Sequence, residues 1–283
     1  MKSALFTGAA ATLGLILASV GSAQASPVPE SSTASHQPTA QARQHGIDRA
    51  GDAYMGWTQN TTTTASTTST APAEMAPTAT VEGIDVSSHQ GNVNWASYWS
   101  AGKRFAYVKA TEGNYYTNPY FAQQYNGSYN VGMIRGAYHF ATPNDSSGAN
   151  QATYFLAHGG GWSRDGKTLP GALDIEYNPY GATCYGLSAS AMVSWIRDFA
   201  NTYKARTGRD VPIYTNLDWW TRCTGNSTAF NSTNPLWVAK YASSPGTLPG
   251  GWPFHTIWQY TSSPVDSNRF NGDMSRLTAL ANG

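Results

Sequence analysis

The chain has 283 residues, with 17 basic and 16 acidic side chains, a net charge of +1 and only 12% charged residues. No Lys/Arg cluster or basic stripe stands out, which argues against nucleic acid as a partner. Gly, Ser, Thr, Asn and Tyr are abundant, so solubility rests on neutral polar groups, a surface suited to an exported protein acting on neutral polymers.

The N-terminus opens with Lys2, continues almost unbroken and apolar from Leu5 to Val20, and reaches Ala23-Gln24-Ala25, the small-x-small pattern of a signal-peptidase site. Residues 1–25 are therefore expected to be a signal peptide and the protein to be secreted. No membrane anchor is expected after cleavage, because the apolar run falls short of the roughly 20 residues that span a bilayer. Residues 26–80 are Ala, Thr, Ser, Pro and Gln with scattered charges, culminating in a Thr-rich run from Thr61 to Thr70. Such a stretch buries too little apolar area to offset the ordering of its backbone, so it reads as a disordered propeptide or linker. One patch within it is richer, Gly46-Ile47-Asp48-Arg49 followed by Tyr54-Met55-Gly56-Trp57, and could dock on the domain that follows. The sequence assigns it no function.

Residues 81–283 suit a single domain. Short apolar runs predict strands at Gly83–Ser87, Phe105–Ala110, Met133–Phe140, Gly171–Glu176, Val211–Thr215, Leu236–Tyr241 and Thr256–Tyr260. Helices are predicted between them at Trp95–Ser100, Pro119–Tyr129, Asn150–His158 and Ser188–Lys204. The last is the clearest, with Met192, Trp195, Ile196, Phe199 and Tyr203 on one face and Ser188 as a cap. Strand-helix alternation of this kind implies an α/β fold with a largely parallel sheet, closed or partly closed into a barrel, whose chemistry lies at the carboxyl ends of the strands. Cys184 and Cys223 are expected to form one disulfide in an oxidising compartment. Two cysteines with no neighbouring histidine do not make a structural zinc site, and no metal or cofactor is called for.

The acidic residues divide into two groups. Asp145, Asp165 and Asp210 lie in polar loops, Asp198 on a helix beside Arg197, and Glu82 ahead of its strand. Asp218 is a possible helix cap and Asp273 a turn residue. By contrast Asp85, Glu112, Asp174, Glu176 and Asp266 all fall at or just after strand ends. In Leu173-Asp174-Ile175-Glu176 two carboxyls point the same way from a strand, with backbones about 6.6 Å apart. Such acids can simply ion-pair with a neighbouring Lys or Arg. Held together in apolar surroundings, however, they cannot easily both ionise, and the one that stays protonated becomes a general acid of the kind needed to break a glycosidic bond. Tyr107, Tyr138, Phe140, Tyr214, Trp237, Tyr241, Trp258 and Tyr260 occupy strand positions from which some can stack on the flat faces of sugar rings while others serve as core. His139 is expected to face away from Tyr138 and Phe140, and His89 to orient a carboxylate rather than to bind metal.

Seven segments in order carry a resemblance: Gly83-Ile84-Asp85-Val86-Ser87-Ser88-His89-Gln90-Gly91, Phe105-Ala106-Tyr107-Val108-Lys109-Ala110-Thr111-Glu112-Gly113, Arg135-Gly136-Ala137-Tyr138-His139-Phe140, Asp174-Ile175-Glu176, Ile213-Tyr214-Thr215-Asn216, Leu236-Trp237-Val238-Ala239 and Trp258-Gln259-Tyr260-Thr261. Across Val81 to Leu280 the chain resembles the glycoside hydrolase family 25 lysozymes, which are secreted N-acetylmuramidases. The resemblance implies a single irregular, flattened TIM-like β/α barrel with a groove for peptidoglycan glycan strands, cleaved at the β-1,4 bond from N-acetylmuramic acid to N-acetylglucosamine. Carried over by residue, it implies Glu176 as general acid, Asp174 as its partner, and Asp85 and Asp266 as further acids of the cleft. The segment between Thr261 and Asp266 is shorter than the family pattern. Candidate substrate contacts are Tyr107, Lys109, Glu112, Tyr138, Phe140, Tyr214, Asn216, Trp237, Tyr241, Trp258 and Gln259, and a monomer is expected. A chitinase or endo-N-acetylglucosaminidase would use the same Asp-x-Glu logic, but is expected to carry a longer acidic run than Leu169-Pro170-Gly171-Ala172-Leu173 supplies. A non-catalytic wall-binding module is the other alternative, expected if one of the acids were missing.

Overall fold

Short β-rich runs separated by helices close on themselves when the last strand finds the first. In the computed structural model, which describes Met1 and residues 36–58 and 79–283, the ring starts with β1 (Thr80–Val86) beside β2 (Phe105–Glu112), parallel, with Gly83 opposite Phe105 and Val86 opposite Val108. The signal peptide expected at 1–25 lies, Met1 apart, outside the described residues. The described residues from 36 onward belong to one compact unit.

From β2 the ring continues through β4 (Ile134–Phe140), β5 (Ala172–Asp174), β6 (Ile213–Thr215), β7 (Leu236–Ala239) and β8 (Ile257–Thr261), every pair parallel. It closes through β9 (Ser267–Asn271), antiparallel to both β8 and β1. A short β3 (Tyr116–Thr117) pairs with the end of β2 outside the ring. The result is the expected α/β barrel of eight strands. β9 is an addition to the strands predicted from the sequence, because its residues Ser-Asn-Arg-Phe-Asn carry little apolar signal. Since β9 runs backwards, it begins at the rim where the other strands end, so Asp266 just before it still arrives there.

Along the strands, residues alternate between the barrel interior and the helices outside it. Phe105, Tyr107, Tyr138, Ala172, Tyr214, Trp237 and Ile257 fill the interior. Ala137, Leu173, Ile213, Leu236 and Val238 pack outward against α4 (Gly148–Ala157), α5 (Ala189–Thr207) and α6 (Leu217–Thr224), and Ile84, Val86, Ala106 and Val108 against α2 (Trp95–Ser100) and α3 (Phe121–Asn130). Gly136 is required by close approach: a Cβ there would stand 2.5 Å from the Tyr107 ring.

α5 fulfils its sequence signature. Ser188 Oγ accepts from Ala191 N–H, Gly208 ends the helix in a left-handed conformation, and Tyr203 accepts from Gly171 N–H at 2.6 Å, fixing the entrance to β5. Two helices of the barrel beyond the expected set owe their starts to side-chain caps: Asn216 accepts from Trp219 N–H to open α6, and Asp273, expected in a turn, accepts from Arg276 N–H to open α7 (Met274–Asn282). Asp218 lies in the first turn of α6, paired with Arg222.

Within the 26–80 stretch expected to lack order, residues 36–58 are ordered against the barrel, beginning with α1 (Ala40–Gln44). The reason is local composition. Ala42, Ile47, Ala53, Met55 and Trp57 are all buried, and they are spaced by turns that use positive φ at Gly46, Gly51 and Gly56.

Cys184 and Cys223 are bonded with a Cα–Cα distance of 5.3 Å, tying the loop after β5 to α6. Their sequence separation of 39 corresponds to about 4 kcal/mol in the chain-entropy model. Replacing both cysteines by serine is expected to lower the unfolding free energy by about that amount in a urea titration, with the far-ultraviolet spectrum unchanged; an unchanged midpoint would contradict the assignment of stability to this closure.

Candidate active site

Asp174 ends β5, and the chain stays extended one step further, because Ile175 N–H donates to Tyr214 O at 3.1 Å. Ile175 faces the helices. Asp174 and Glu176 therefore project together into the mouth of the barrel, where both are fully buried. Asp85, from β1, accepts from Gln259 Nε2 at 2.9 Å and from Asn268 Nδ2 at 2.7 Å. Those two amides are themselves oriented, Gln259 Oε1 by the Tyr214 hydroxyl at 2.7 Å and Asn268 Oδ1 by Trp237 Nε1–H at 2.9 Å. Asp266 accepts from the Tyr241 hydroxyl at 3.1 Å, and its own carbonyl receives Asp85 N–H. Four carboxyls from three regions of the ring thus meet at one rim.

Burial drives their acidity. Asp85 is pushed up to about 7 by desolvation, against the pull of the two amide donors. Glu176 is pushed up to about 8 by desolvation. Asp174 is raised well above the carboxylate range by desolvation and by the charge of Glu176, and Asp266 by desolvation and by Asp85. Asp174 and Glu176 lie within hydrogen-bonding reach of each other. As two carboxylates neither has a donor to offer, and neither Asp174 oxygen nor Glu176 Oε2 finds another partner among the described residues. One proton held between them turns repulsion into a hydrogen bond, which is how a carboxylic acid is kept for delivery at neutral pH.

The other predicted contacts separate into four sets. Tyr138, Tyr214, Trp237, Tyr241 and Gln259 form the wall and floor around the acids. Lys109, Glu112 and Phe140 form a second cluster: Lys109 Nζ meets Glu112 Oε2 at 2.5 Å, both side chains fully buried, and lies 5.3 Å from the centre of the Phe140 ring. Asn216 caps α6 and receives the Tyr177 hydroxyl at 3.4 Å. Two are not brought to the site. Tyr107 is interior packing, its hydroxyl donated to Pro170 O at 3.0 Å, and Trp258 faces outward with Nε1–H on Lys240 O and Arg269 over its ring. His139 does face away, bonded to Thr111 and Gln151. Among the described residues His89 orients no carboxylate side chain: its Nε2 meets the Asp52 carbonyl at 2.6 Å. Asn268, Tyr177 and Tyr180 join the site without having been singled out from the sequence. Tyr180 donates to Glu112, and its signal was its place just after the Asp-x-Glu segment. Among the described residues no group of three or more His, Cys, Asp or Glu is arranged to hold a metal ion.

Residues 84–268 match the model for glycosyl hydrolases family 25. The chain belongs to that family. It is 55% identical over 215 residues to Lysozyme M1 of Streptomyces globisporus, covering 73% of each chain. It is 54% identical over 211 residues to the N,O-diacetylmuramidase of Chalaropsis, covering 72% of this chain and 100% of that one. Among solved structures, the muramidase of Acremonium alcalophilum is 60% identical with a TM-score of 0.71, covering 72% of this chain and 99% of its own. The share matched is the share that residues 79–283 make up of this chain. The matched span makes up all of the Chalaropsis protein and 99% of the Acremonium chain, and residues 36–58 precede the span that the family model matches.

Asp85 gives this site a pH signature. Its folded value of about 7 lies above the roughly 4 of an unfolded aspartate, so the folded chain binds the proton more tightly. That contribution is fully present below about pH 4 and is lost as pH rises through about 7. Asp85→Asn keeps an oxygen for both amide donors and removes the charge. It is expected to be more stable than the parent at pH 8, on the order of a few kcal/mol, and equal to it at pH 4, by urea denaturation at both pH values; the same difference at both would refute the burial argument.

Proposed function

We propose that this family 25 glycoside hydrolase is a secreted peptidoglycan hydrolase that cleaves the β-1,4 bond from N-acetylmuramic acid to N-acetylglucosamine with net retention of configuration. The observation that carries the reading is the convergence of Asp174, Glu176, Asp85 and Asp266 at the barrel mouth, with Asp174 and Glu176 within hydrogen-bonding reach of each other. The neighbours named lysozyme and muramidase support the substrate class, and the apolar N-terminus with its Ala23-Gln24-Ala25 site supports export.

Glu176 acts as the general acid, giving its proton to the leaving oxygen as the glycosidic bond breaks. A retaining pair that attacks through its second carboxylate keeps the two groups about 5 Å apart, with the scissile bond between them, and an inverting pair keeps them further apart still. Asp174 and Glu176 lie within hydrogen-bonding reach of each other, closer than either of those spacings. The attacking atom in this reading is therefore the oxygen of the substrate's own 2-acetamido group. Asp174 accepts from the acetamido N–H and steadies it as the oxygen bonds to the anomeric carbon. Glu176, now a carboxylate, takes a proton from the water that opens this ring, and the second inversion restores the original configuration. Asp85 and Asp266 across the mouth favour the positive charge that develops at the anomeric carbon.

Glu176→Gln, made in the full chain and in residues 79–283, is expected to lower turnover of purified peptidoglycan by about 10²–10⁴-fold while leaving the fold and wall binding intact. New reducing ends should be muramic acid, first released as the β anomer by NMR. Undiminished turnover would remove Glu176 from its role, reducing glucosamine would place the enzyme with the endo-N-acetylglucosaminidases, and an α product would exclude acetamido assistance.

A further inference from the structure

The four acids are buried, and what covers them is the chain's own N-terminal segment. We propose that residues 36–58 are a tethered peptide inhibitor that occupies the saccharide groove and keeps the acid pair covered until the segment is detached or displaced. This rests on the reading of the groove as the glycan site.

The seat is specific. Gly56 N–H donates to Glu176 Oε1 at 2.6 Å. Gly56 has φ +78°, and a Cβ there would stand 2.5 Å from Gln259 Oε1, 2.6 Å from the Tyr241 hydroxyl and 2.8 Å from the Tyr214 hydroxyl. Only a residue without a side chain comes this close to the acids and the amide that orients Asp85. Met55 joins the interior cluster of Tyr138, Tyr214 and Trp237, while Trp57 packs in the cluster of Phe140 and donates Nε1–H to Tyr177 O at 3.1 Å. The segment's backbone also completes the second cluster. Lys109 Nζ donates to Gly51 O at 3.0 Å and to Ala53 O, and Gly51 N–H donates to Glu112 Oε1 at 3.0 Å. Further out, His89 holds Asp52 O, Thr39 N–H donates to Pro179 O at 2.9 Å, and His36 meets Asp145 at 2.9 Å.

A general acid must come within about 3 Å of the oxygen it protonates. With Gly56 at that distance from Glu176, no glycosidic oxygen can take the place. The contact has a second effect: an N–H donated to Oε1 favours the ionised form of Glu176 and leaves the shared proton on Asp174, where it faces the wrong partner. Attachment to the barrel holds the segment at a local concentration on the order of millimolar, so even a modest intrinsic affinity keeps the groove occupied. Hydrolysis of one peptide bond between residues 58 and 79 by an endopeptidase would turn this into bimolecular binding, from which dilution releases the barrel.

The test compares three chains on purified peptidoglycan: the full chain, the full chain with Gly56→Val, and residues 79–283. The full chain is expected to hydrolyse at least about 10-fold more slowly than 79–283, and Gly56→Val to recover most of that loss without any change in the barrel. A synthetic 36–58 peptide should raise KM of the 79–283 chain with kcat unchanged, and the same peptide with Gly56→Val should not. Equal activity of the full chain and 79–283 would overturn the proposal. If 79–283 fails to hydrolyse peptidoglycan, the proposed function fails instead, and calorimetry of the 36–58 peptide with 79–283 still decides the segment: binding abolished by Gly56→Val sustains it as a groove ligand, and no binding refutes it.

Discussion

Two carboxyl groups two residues apart on one strand end, buried within hydrogen-bonding reach of each other, set the terms for everything around them. Isolated buried carboxylates are too costly to keep, so the site survives by sharing protons and importing donors. The barrel imports them from strands distant in sequence. Gln259 and Asn268 reach Asp85 across the ring, and each is aimed by an aromatic side chain of another strand, Tyr214 and Trp237. Aromatic residues that look from composition like sugar-stacking platforms therefore serve first to orient the amides that make a buried acid tolerable.

The Lys109–Glu112 pair follows the same logic with an ion pair. Its two side chains are fully buried, and such a pair holds only when its remaining donors and acceptors are met. In the closed form they are met by Gly51 and Ala53 of the N-terminal segment and by the hydroxyls of Tyr115 and Tyr180. The segment is thus bound through backbone groups at two places, one on the acid pair and one on the ion pair. Side chains secure it in between and beyond, Met55 inside the barrel mouth and Trp57 along its wall.

Which rim would carry the acids was legible in the sequence, because a strand's end is marked by the change from apolar to polar residues and Asp85, Glu112, Asp174 and Glu176 all sit at that change. Which face each strand residue would take was less so. All eight residues of β2 are buried, so its sequence shows no alternation to separate interior from exterior. That is why Tyr107 was indistinguishable from a groove residue although it lies deep in the interior. Trp258 failed differently: its neighbour Gln259 takes the inward position, and a polar residue pointing into a barrel is unreadable without knowing that Asp85 awaits it. β9 was hidden by polar residues, among them Asn268, that exist to serve the site. The ordered part of the N-terminal stretch was partly legible, since Ile47, Tyr54, Met55 and Trp57 stand out from their surroundings, but their partners are the barrel's own groove and no local pattern announces that.

The segment's fit is good but incomplete, and the incompleteness matters. With Gly56 seated on Oε1, Glu176 Oε2 and both Asp174 oxygens have only the proton they share, and Asn216 Nδ2 has no acceptor among the described residues. Each buried polar atom left so costs about 1–3 kcal/mol. A peptide backbone offers one N–H per residue in a fixed rhythm, whereas an N-acetylated sugar places an N–H, a carbonyl and several hydroxyls within a single ring. The glycan is therefore the better chemical match to the same polar atoms, and the peptide holds the groove chiefly because it is attached. Occupancy by the segment then depends on the covalent connection more than on contact quality. The same groove can be shut in the intact chain and open to substrate in the barrel alone, with no change in the barrel's own fold.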